Sequence, residues 1–482
     1  MRYIHHEKIL IFFWICILVS INSSYTSALE IANIRPFFIL SETSFFIFAN
    51  FVRFFLPFII LPILIVFFLV NSTKKIDIFT FIFIIYFCWQ LFAFFYSNRQ
   101  SDSYTFFSQL RTTNSNIFYS EFEESLFTNL NLIFCSLSIL IIITIANNLN
   151  LKKFNKKIFI VTLFFIGLIA IYFTSQLINE SIKNNTKFVY TSGTLMADSV
   201  TFFQANPRIT GASRMVLIFY FLSFFFFLKS QKKIFWYITL TMLLLLLYKM
   251  QTRGSFIGII ILNLCFFLFN SLTIKKKILN LLVLILVPII IFETYYYIKT
   301  NSNFIKTTNG NTNQYKIENK NRLFEDETSG RTTIWKNALF IINEKKIILG
   351  YGPQADRFLF TNFRISHKDK NIYYDKNGNP YLYDNNASNS LIYAYLCGGV
   401  VGIFLLLSIY LLATFLVIKN IFIKKIFLFN GNLWVNFSTI LMIYLGFRGI
   451  FENSISVFGL DYIFFVLTYV TCKDLAKSNN SV

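Results

Sequence analysis

The sequence predicts an all-α polytopic membrane protein with about 12 transmembrane helices and one large loop containing short helices. Three observations predict this fold class: the composition, the apolar runs and the placement of the lysines. Hydrophobic residues make up 55% of the 482-residue chain, charged residues only 14%, and phenylalanine alone contributes 63 residues. So few charges cannot cover that much apolar surface in water, which excludes a soluble enzyme, a disordered chain and a secreted disulfide scaffold.

Apolar runs define the predicted helices, because a span needs roughly 20 residues. The runs are residues 9–24, 54–70, 78–96, 126–146, 158–178, 215–228, 234–247, 256–272, 278–298, 391–418, 433–450 and 455–470. Two of them, 215–228 and 234–247, are short and must include flanking polar positions. The first run follows basic residues as a signal peptide does, but no clean small-residue cleavage site follows it, so we predict a helix there.

Lysines occupy every second loop between these runs. They are Lys74, Lys75, Lys152, Lys153, Lys156, Lys157, Lys229, Lys232, Lys233, Lys275, Lys276, Lys277, Lys419, Lys424, Lys425, Lys473 and Lys477. Because cytoplasmic loops carry an excess of basic residues, we predict that both termini face the cytoplasm. The net charge of +21 is then mostly a signal of topology, and no nucleic acid is expected as a partner.

The loops on the other side are longer, and the longest covers residues 299–390. We therefore divide the chain into transmembrane helices 1–9 (residues 1–298), a large periplasmic loop (299–390), and helices 10–12 with a cytoplasmic tail (391–482). Residues 331–344 carry apolar side chains at helical spacing, which predicts an amphipathic helix near the outer membrane surface. Long loops in compact proteins are often functional, so function is expected on this side.

Several kinds of chemistry are excluded by absent motifs. No Gly-x-x-x-x-Gly-Lys phosphate loop is present in the sequence, so the chain lacks the ATP-binding motif that an ATP-driven pump requires. All cysteines lie within or at the ends of apolar runs, which offers neither a disulfide framework nor a zinc cluster; they are Cys16, Cys88, Cys135, Cys265, Cys397 and Cys472. No metal and no cofactor are expected. A transporter and an enzyme acting on a lipid-linked substrate remain.

Arginines near the outer helix ends are the candidate binding residues. They are Arg208, Arg214, Arg253, Arg331 and Arg448, with the acidic Glu452 and Asp461 nearby in the sequence. A charge at membrane depth is costly, so such a side chain usually faces a cavity or a partner. The planar guanidinium group matches phosphate and diphosphate oxygens, so these arginines indicate an anionic substrate.

Motifs in the C-terminal half occur in an order that resembles a known family. They are Thr252-Arg253-Gly254-Ser255 before an apolar run, Gly330-Arg331 with Trp335 and Gly350-Tyr351-Gly352, Ser388-Asn389 with Gly399 and Gly402, and Arg448 to Glu452. Over residues 206–470 the chain resembles the O-antigen ligase/polymerase superfamily of bacterial membrane glycosyltransferases. The resemblance implies metal-independent transfer of a glycan from an undecaprenyl-diphosphate carrier to a sugar hydroxyl, at the periplasmic face of the inner membrane.

The resemblance also assigns roles to residues. Arg253 and Arg331 would contact the diphosphate, with Arg208 or Arg214 in support. Trp335, Ser388, Asn389 and Arg448 would complete substrate binding, with Ser388 and Asn389 at the sugars.

One position departs from the family. Ser388 stands where the ligases carry a histidine that is proposed as the base or as an orienter of the acceptor hydroxyl. A serine hydroxyl cannot act as a free base near pH 7. We therefore expect His367 in the large loop to take this part in catalysis, with the carboxylates Glu325, Asp326, Glu327 and Asp384 as alternatives.

Loss of the family histidine favours an O-antigen polymerase, whose acceptor is another lipid-linked glycan, over a ligase, whose acceptor is the lipid A core. Other hypotheses are a polysaccharide-lipid flippase and an inactive homologue that binds lipid-linked glycan. The sequence shows neither the internal repeats nor the frequent proline breaks common in transporters, which favours the enzyme. Expected partners are the undecaprenyl-diphosphate-linked oligosaccharide, membrane lipids and a chain-length regulator.

Overall fold

The computed structural model describes residues 2–20, 44–71, 75–97, 121–151, 154–183, 209–250, 252–270, 272–286, 288–290, 293–294, 297, 331–356, 358–360, 387–423, 432–452, 455–456 and 459–478. Within these residues the protein is all-helical and has no strand. All six cysteines are free, in agreement with their placement in apolar runs.

The helices follow the apolar runs closely. They are α1 (Arg2–Ser20), α2 (Ser44–Asn71), α3 (Ile78–Tyr96), α4 (Glu121–Asn148), α5 (Phe154–Lys183), α6 (Ile209–Lys229), α7 (Lys233–Met250), α8 (Arg253–Phe269), α9 (Ile274–Leu281), α10 (Arg331–Lys345), α11 (Ser390–Ile418), α12 (Leu433–Phe451) and α13 (Leu460–Ser478). Single π-helical turns, Leu282–Leu286 and Lys419–Ile423, extend α9 and α11.

Seven described helices are long and apolar enough to cross a membrane. These spans are Ile78–Tyr96, Asn129–Asn148, Phe154–Asn179, Gly211–Lys229, Lys233–Met250, Ser390–Phe422 and Leu433–Phe451, and the apolar helices Phe55–Val70 and Arg253–Phe269 are shorter. Each apolar run in the sequence overlaps one of the described helices. The count of 12 spans, the three-part division of the chain and the loop's position outside the membrane stay predictions.

Helices from both sides of the large loop pack into one bundle around α12. Phe437 and Tyr444 of α12 are fully buried, and their rings meet Phe159 of α5 and Phe221 of α6 edge to face. Helix α8 approaches α12 closely because Gly258 has no side chain, and an added Cβ there would lie 3.0 Å from the Tyr444 ring. Burial of this apolar surface holds α6, α8 and α12 together.

The two ends of the bundle differ in charge. At one end Lys157 pairs with Glu7, which joins the starts of α5 and α1, and Lys473 pairs with Asp77, which joins the later part of α13 to the start of α3. We call this the lysine-bearing end. Helix α13 therefore starts at the opposite end, where α8 and α10 begin with arginines and α12 ends after Arg448. We call that the arginine-bearing end.

Helix α10 occupies the stretch predicted to be an amphipathic helix. Ile334, Ala338 and Ile341 form its buried face, whereas Leu339 and Phe340 are 54% and 48% exposed on the other side. The helix therefore packs on the bundle through one face and presents apolar side chains outward through the other.

The segment after α10 is held by a break in α11. Gly399 interrupts the helix with φ 60° and ψ −149°. The opened turn bonds to the incoming backbone: the N–H groups of Tyr351 and Gly352 donate to the carbonyls of Leu396 and Cys397 at 2.9 and 2.8 Å, and the Val400 N–H donates to the Ile348 carbonyl at 3.0 Å. Residues 347–352 are thus bonded directly into the interrupted helix.

Candidate functional site

The candidate site lies where described helix ends meet at the arginine-bearing end. Helices α6, α8, α10, α11 and α13 begin there, and α12 ends there. The first turn of a helix carries partial positive charge and N–H groups without a helical partner. The arginines therefore lie in surroundings that already favour negative charge.

A buried carboxylate joins two of the arginines. Asp461 Oδ2 accepts hydrogen bonds from Arg214 Nη1 at 2.8 Å and from Arg448 Nε at 2.9 Å. The side chains of Arg214, Arg448 and Asp461 are only 4%, 8% and 1% exposed. Arg214 directly precedes the apolar run that starts at residue 215 in the sequence. The structure includes it in α6, where Asp461 of α13 compensates its charge.

Arg253 lies beside this triad. It is the first residue of α8 and is half-buried. A Cβ atom added to the next residue, Gly254, would lie 3.2 Å from Arg448 Nη1. The guanidinium of Arg448 is therefore held between Asp461 and the first turn of α8, next to Arg253.

A second ion pair joins the loop helix to the bundle. Arg331, the first residue of α10, donates through Nη2 to Glu452 Oε1 at 2.8 Å. The two side chains are 27% and 23% exposed, so solvent and solutes reach this pair. Glu452 follows the last residue of α12, four positions after Arg448. The pair is therefore next to the buried triad in the chain and accessible from outside.

Trp335 connects α10 to the start of α11. Its indole Nε1 donates to the Ser388 carbonyl at 3.2 Å, and its ring centroid lies 6.4 Å from that of Phe451. Ser388 itself is 7% exposed and has φ +44°, which is uncommon for a residue with a side chain. The position that holds histidine in the ligases is thus fixed against the helix that carries Arg331.

Asn389 and Ser390 fix the start of α11 to the end of α12. Asn389 caps α11: its Oδ1 accepts from the N–H groups of Leu391 and Ile392 at 2.8 and 3.0 Å. Its Nδ2 donates to the Ile450 carbonyl at 2.9 Å, and Ser390 Oγ donates to the Glu452 carbonyl at 2.9 Å. These contacts give Asn389 a structural part in the site, in addition to the sugar contact predicted from the resemblance.

Most residues predicted from the sequence lie together at this end. Those the structure brings together are Arg214, Arg253, Arg331, Trp335, Ser388, Asn389 and Arg448. Arg208 and His367 lie outside the described residues, as do Glu325, Asp326, Glu327 and Asp384. Sequence reasoning named Glu452 and Asp461 among the charges expected to face a cavity or a partner, but it gave neither residue a catalytic or binding role.

The assembled groups suit an anion with several oxygens. One carboxylate cannot neutralise two guanidinium groups, so the triad of Arg214, Asp461 and Arg448 carries a net positive charge. Arg253 and Arg331 add further donors around it. Among the described residues, no group of three or more His, Cys, Asp or Glu side chains could hold a metal ion; the expectation of metal-independent chemistry stays a prediction.

Comparison with known proteins gives a family match over part of the chain. Residues 238–407 match the family model described as O-antigen ligase. No curated protein and no solved structure matches the chain. The matched segment includes Arg253, Arg331 and Ser388, whereas the triad lies outside it. The family implies a glycosyltransferase-like enzyme, and together with the apolar helices it indicates an integral membrane protein. This match over about a third of the chain supports the resemblance of the chain to the O-antigen ligase/polymerase superfamily.

Proposed function

We propose that the protein is a glycosyltransferase of the bacterial inner membrane that transfers a glycan from undecaprenyl diphosphate to a sugar hydroxyl. The observation that carries this proposal is the meeting of Arg214, Arg253, Arg331 and Arg448 at one end of an apolar helical bundle. A lipid-linked diphosphate complements such a site, because its charged head stays at the membrane surface while its tail stays in the hydrocarbon.

The proposed orientation puts the arginine-bearing end in the periplasm and both termini in the cytoplasm. The described ion pairs of Lys157 and Lys473 at the opposite end support this, because basic residues accumulate on the cytoplasmic side. The donor carries its own energy in the bond between the sugar and the diphosphate. Transfer at the periplasmic face therefore needs no nucleotide.

The arginines stabilise the leaving group in the proposed reaction. The acceptor oxygen attacks the anomeric carbon, the bond from that carbon to the diphosphate breaks, and negative charge grows on the departing diphosphate. We assign Arg253 and Arg331 to this diphosphate. Arg448 joins them, because its guanidinium lies against Gly254. Loss of one such preorganised donor costs about 10²–10³-fold in rate.

Two arginines take supporting parts in the proposal. Arg214 holds Asp461, which in turn orients Arg448 through its Nε atom. Arg208, outside the described residues, keeps the supporting part that the resemblance gives it. Trp335 and Ser388 are proposed to face the sugars, and the contacts of Asn389 suit it to fixing their position.

The preferred acceptor is another lipid-linked glycan, which makes the protein an O-antigen polymerase. Ser388 supports this choice, because it replaces the histidine that the ligases carry. An O-antigen ligase that uses the lipid A core is the second candidate, since the matched family model carries that description. A chain-length regulator is proposed as a further partner of the polymerase.

Reconstitution of the purified protein tests the proposal. In detergent or liposomes with undecaprenyl-diphosphate-linked repeat units alone, a polymerase lengthens the glycan. A ligase transfers it only when lipid A core is added. A flippase moves the lipid across a liposome membrane without making a new bond, and an inactive homologue binds it without either result. If a folded preparation neither lengthened nor transferred the glycan, the enzymatic proposal would be overturned.

Matched variants connect the result to the site. Arg331→Ala should lower the rate by about 10²–10³-fold, whereas Lys336→Ala, which removes an exposed cation from the same helix, should leave the rate unchanged. Equal activity of both variants would remove Arg331 from the diphosphate site.

A further inference from the structure

The acceptor hydroxyl must lose a proton during transfer, and a basic group has to receive it. This question rests on the proposed function and goes beyond it. Ser388 cannot serve near neutral pH. The structure therefore has to be searched for a base that solutes can reach, that is close to the arginines and that is held in a defined position.

Four described carboxylates near the arginine-bearing end can be compared. Asp461 is 1% exposed and shared by two arginines, and Asp356 is also 1% exposed and accepts from the Ala387 N–H at 3.1 Å. Neither can reach an acceptor. Glu293 accepts from the Tyr248 hydroxyl at 2.6 Å, which places it against α7. Glu452 is 23% exposed and bonds directly to Arg331.

The surroundings of Glu452 fix its position. Its backbone carbonyl accepts from Ser390 Oγ at 2.9 Å, two residues after Ser388. The preceding residue, Phe451, lies against Trp335, whose indole bonds to the Ser388 carbonyl. The backbone of Glu452 is therefore held near the position at which the ligases carry histidine, and one of its carboxylate oxygens is bonded to a proposed diphosphate ligand.

We propose that Glu452 is the general base of the transfer reaction. An acceptor hydroxyl donates its proton to a Glu452 carboxylate oxygen while its own oxygen forms the new bond to the anomeric carbon. The bond between that carbon and the diphosphate breaks, and its electron pair leaves on the diphosphate oxygen, where Arg331 and Arg253 stabilise it. Glu452 then releases the proton to water. A carboxylate serves as the general base in a related reaction, the hydrolysis of glycosides by inverting glycosidases, where it activates the attacking water.

The ion pair between Arg331 and Glu452 implies that the donor binds before the acceptor. While no donor is present, Arg331 and Glu452 satisfy each other at 2.8 Å. When a diphosphate binds, it competes for the guanidinium, and Glu452 becomes available to an acceptor. The charged groups that face Glu452 are Arg331 from α10 and Arg448 from its own helix, with Asp461 behind Arg448.

Glu452→Gln is the direct test, because the amide keeps the side-chain shape and an oxygen that accepts from Arg331 but cannot take the proton. With undecaprenyl-diphosphate-linked repeat units as substrate, kcat should fall by about 10²–10⁴-fold, while KM for the donor changes by less than about threefold. Glu344→Gln removes an exposed carboxylate from the last turn of α10 and should keep full activity.

A second variant distinguishes loss of the base from loss of the folded structure. Glu452→Ala opens space for a small external base, so formate should raise the rate of glycan transfer by this variant by about tenfold, which a merely structural role would not allow. Full activity of Glu452→Gln, no rescue of Glu452→Ala, or loss of kcat in His367→Gln alone would each overturn the proposal. An inactive wild-type protein would instead refute the proposed function, so the two failures are distinguishable.

Discussion

Asp461 and Arg214 share a 2.8 Å hydrogen bond in the interior of the bundle, although they are 247 positions apart in the chain. Their side chains are 1% and 4% exposed. The same carboxylate oxygen accepts from Arg448 at 2.9 Å. A single oxygen atom therefore compensates two buried cations and determines where the guanidinium of Arg448 lies.

Removing Asp461 should destabilise the protein strongly. Asp461→Ala leaves two guanidinium groups buried without their carboxylate, and breaking a buried pair in this way costs about 3–5 kcal/mol. Thermal unfolding in detergent, followed by size-exclusion chromatography, measures the loss. Asp77→Ala at the lysine-bearing end is the control, because its pair with Lys473 is partly exposed and should contribute about 0–1 kcal/mol. Equal stability of the two variants would contradict the compensating role of Asp461.

Gly254 should matter for activity more than for stability. A Cβ at this position meets Arg448 Nη1 at 3.2 Å, so Gly254→Ala should push the guanidinium aside by a few tenths of an ångström. Displacement of a positioned group by about 1 Å costs up to about 10²-fold in rate, and a smaller shift costs less. The measurement is the rate of glycan transfer by a variant that elutes as folded protein. Gly446→Ala, with nothing within 4 Å of its Cβ, is the matched control and should behave as wild type.

Gly399 should tolerate no side chain. Its φ of 60° and ψ of −149° lie in a region that only glycine occupies readily, and a Cβ there would overlap the Ile348 carbonyl. Gly399→Ala should therefore release residues 347–352 from α11. Limited proteolysis should cut that segment faster in the variant, while cleavage elsewhere is unchanged. Identical digestion of variant and wild type would show that residues 347–352 stay bound to α11 without glycine at position 399.

Gly449 and Tyr410 should be coupled. A Cβ on Gly449 would overlap the Tyr410 hydroxyl, whereas the ring carbon behind that hydroxyl is 3.1 Å away. Gly449→Ala should cost about 1–3 kcal/mol through overpacking, and adding Tyr410→Phe should recover part of it. A double-mutant cycle of melting temperatures measures the coupling. If the effects of the two substitutions on stability are additive, the predicted clash between the added Cβ and the Tyr410 hydroxyl is refuted.

The helices were predictable because their signal is local. Apolar runs specify where a chain is helical in a membrane, and every predicted run overlaps a described helix. The helix at residues 331–344 was predicted from its spacing and is confirmed as Arg331–Lys345. Helix ends were less accurate: the run from residue 215 continues back to Ile209 because Arg214 is compensated from α13, and α13 starts at Leu460 rather than at 455.

The site was predictable only in part. Single arginines such as Arg253 and Arg331 could be selected by the cost of a charge at a helix end and by motif resemblance. The arrangement of these arginines could not be predicted from the sequence. It depends on contacts between positions far apart in the chain, such as Arg331 with Glu452 and Arg214 with Asp461. Glu452 belongs to the motif from Arg448 to Glu452, but its accessibility and its position beside Arg331 are visible only once α10 and α12 are placed in space.

The pairing of α6 with α13 has a consequence for biosynthesis. The ribosome makes α6 long before it makes residue 461, so Arg214 is synthesised well before Asp461 can pair with it. Until α13 is made, the charge of Arg214 lacks the compensation that Asp461 gives it in the folded bundle.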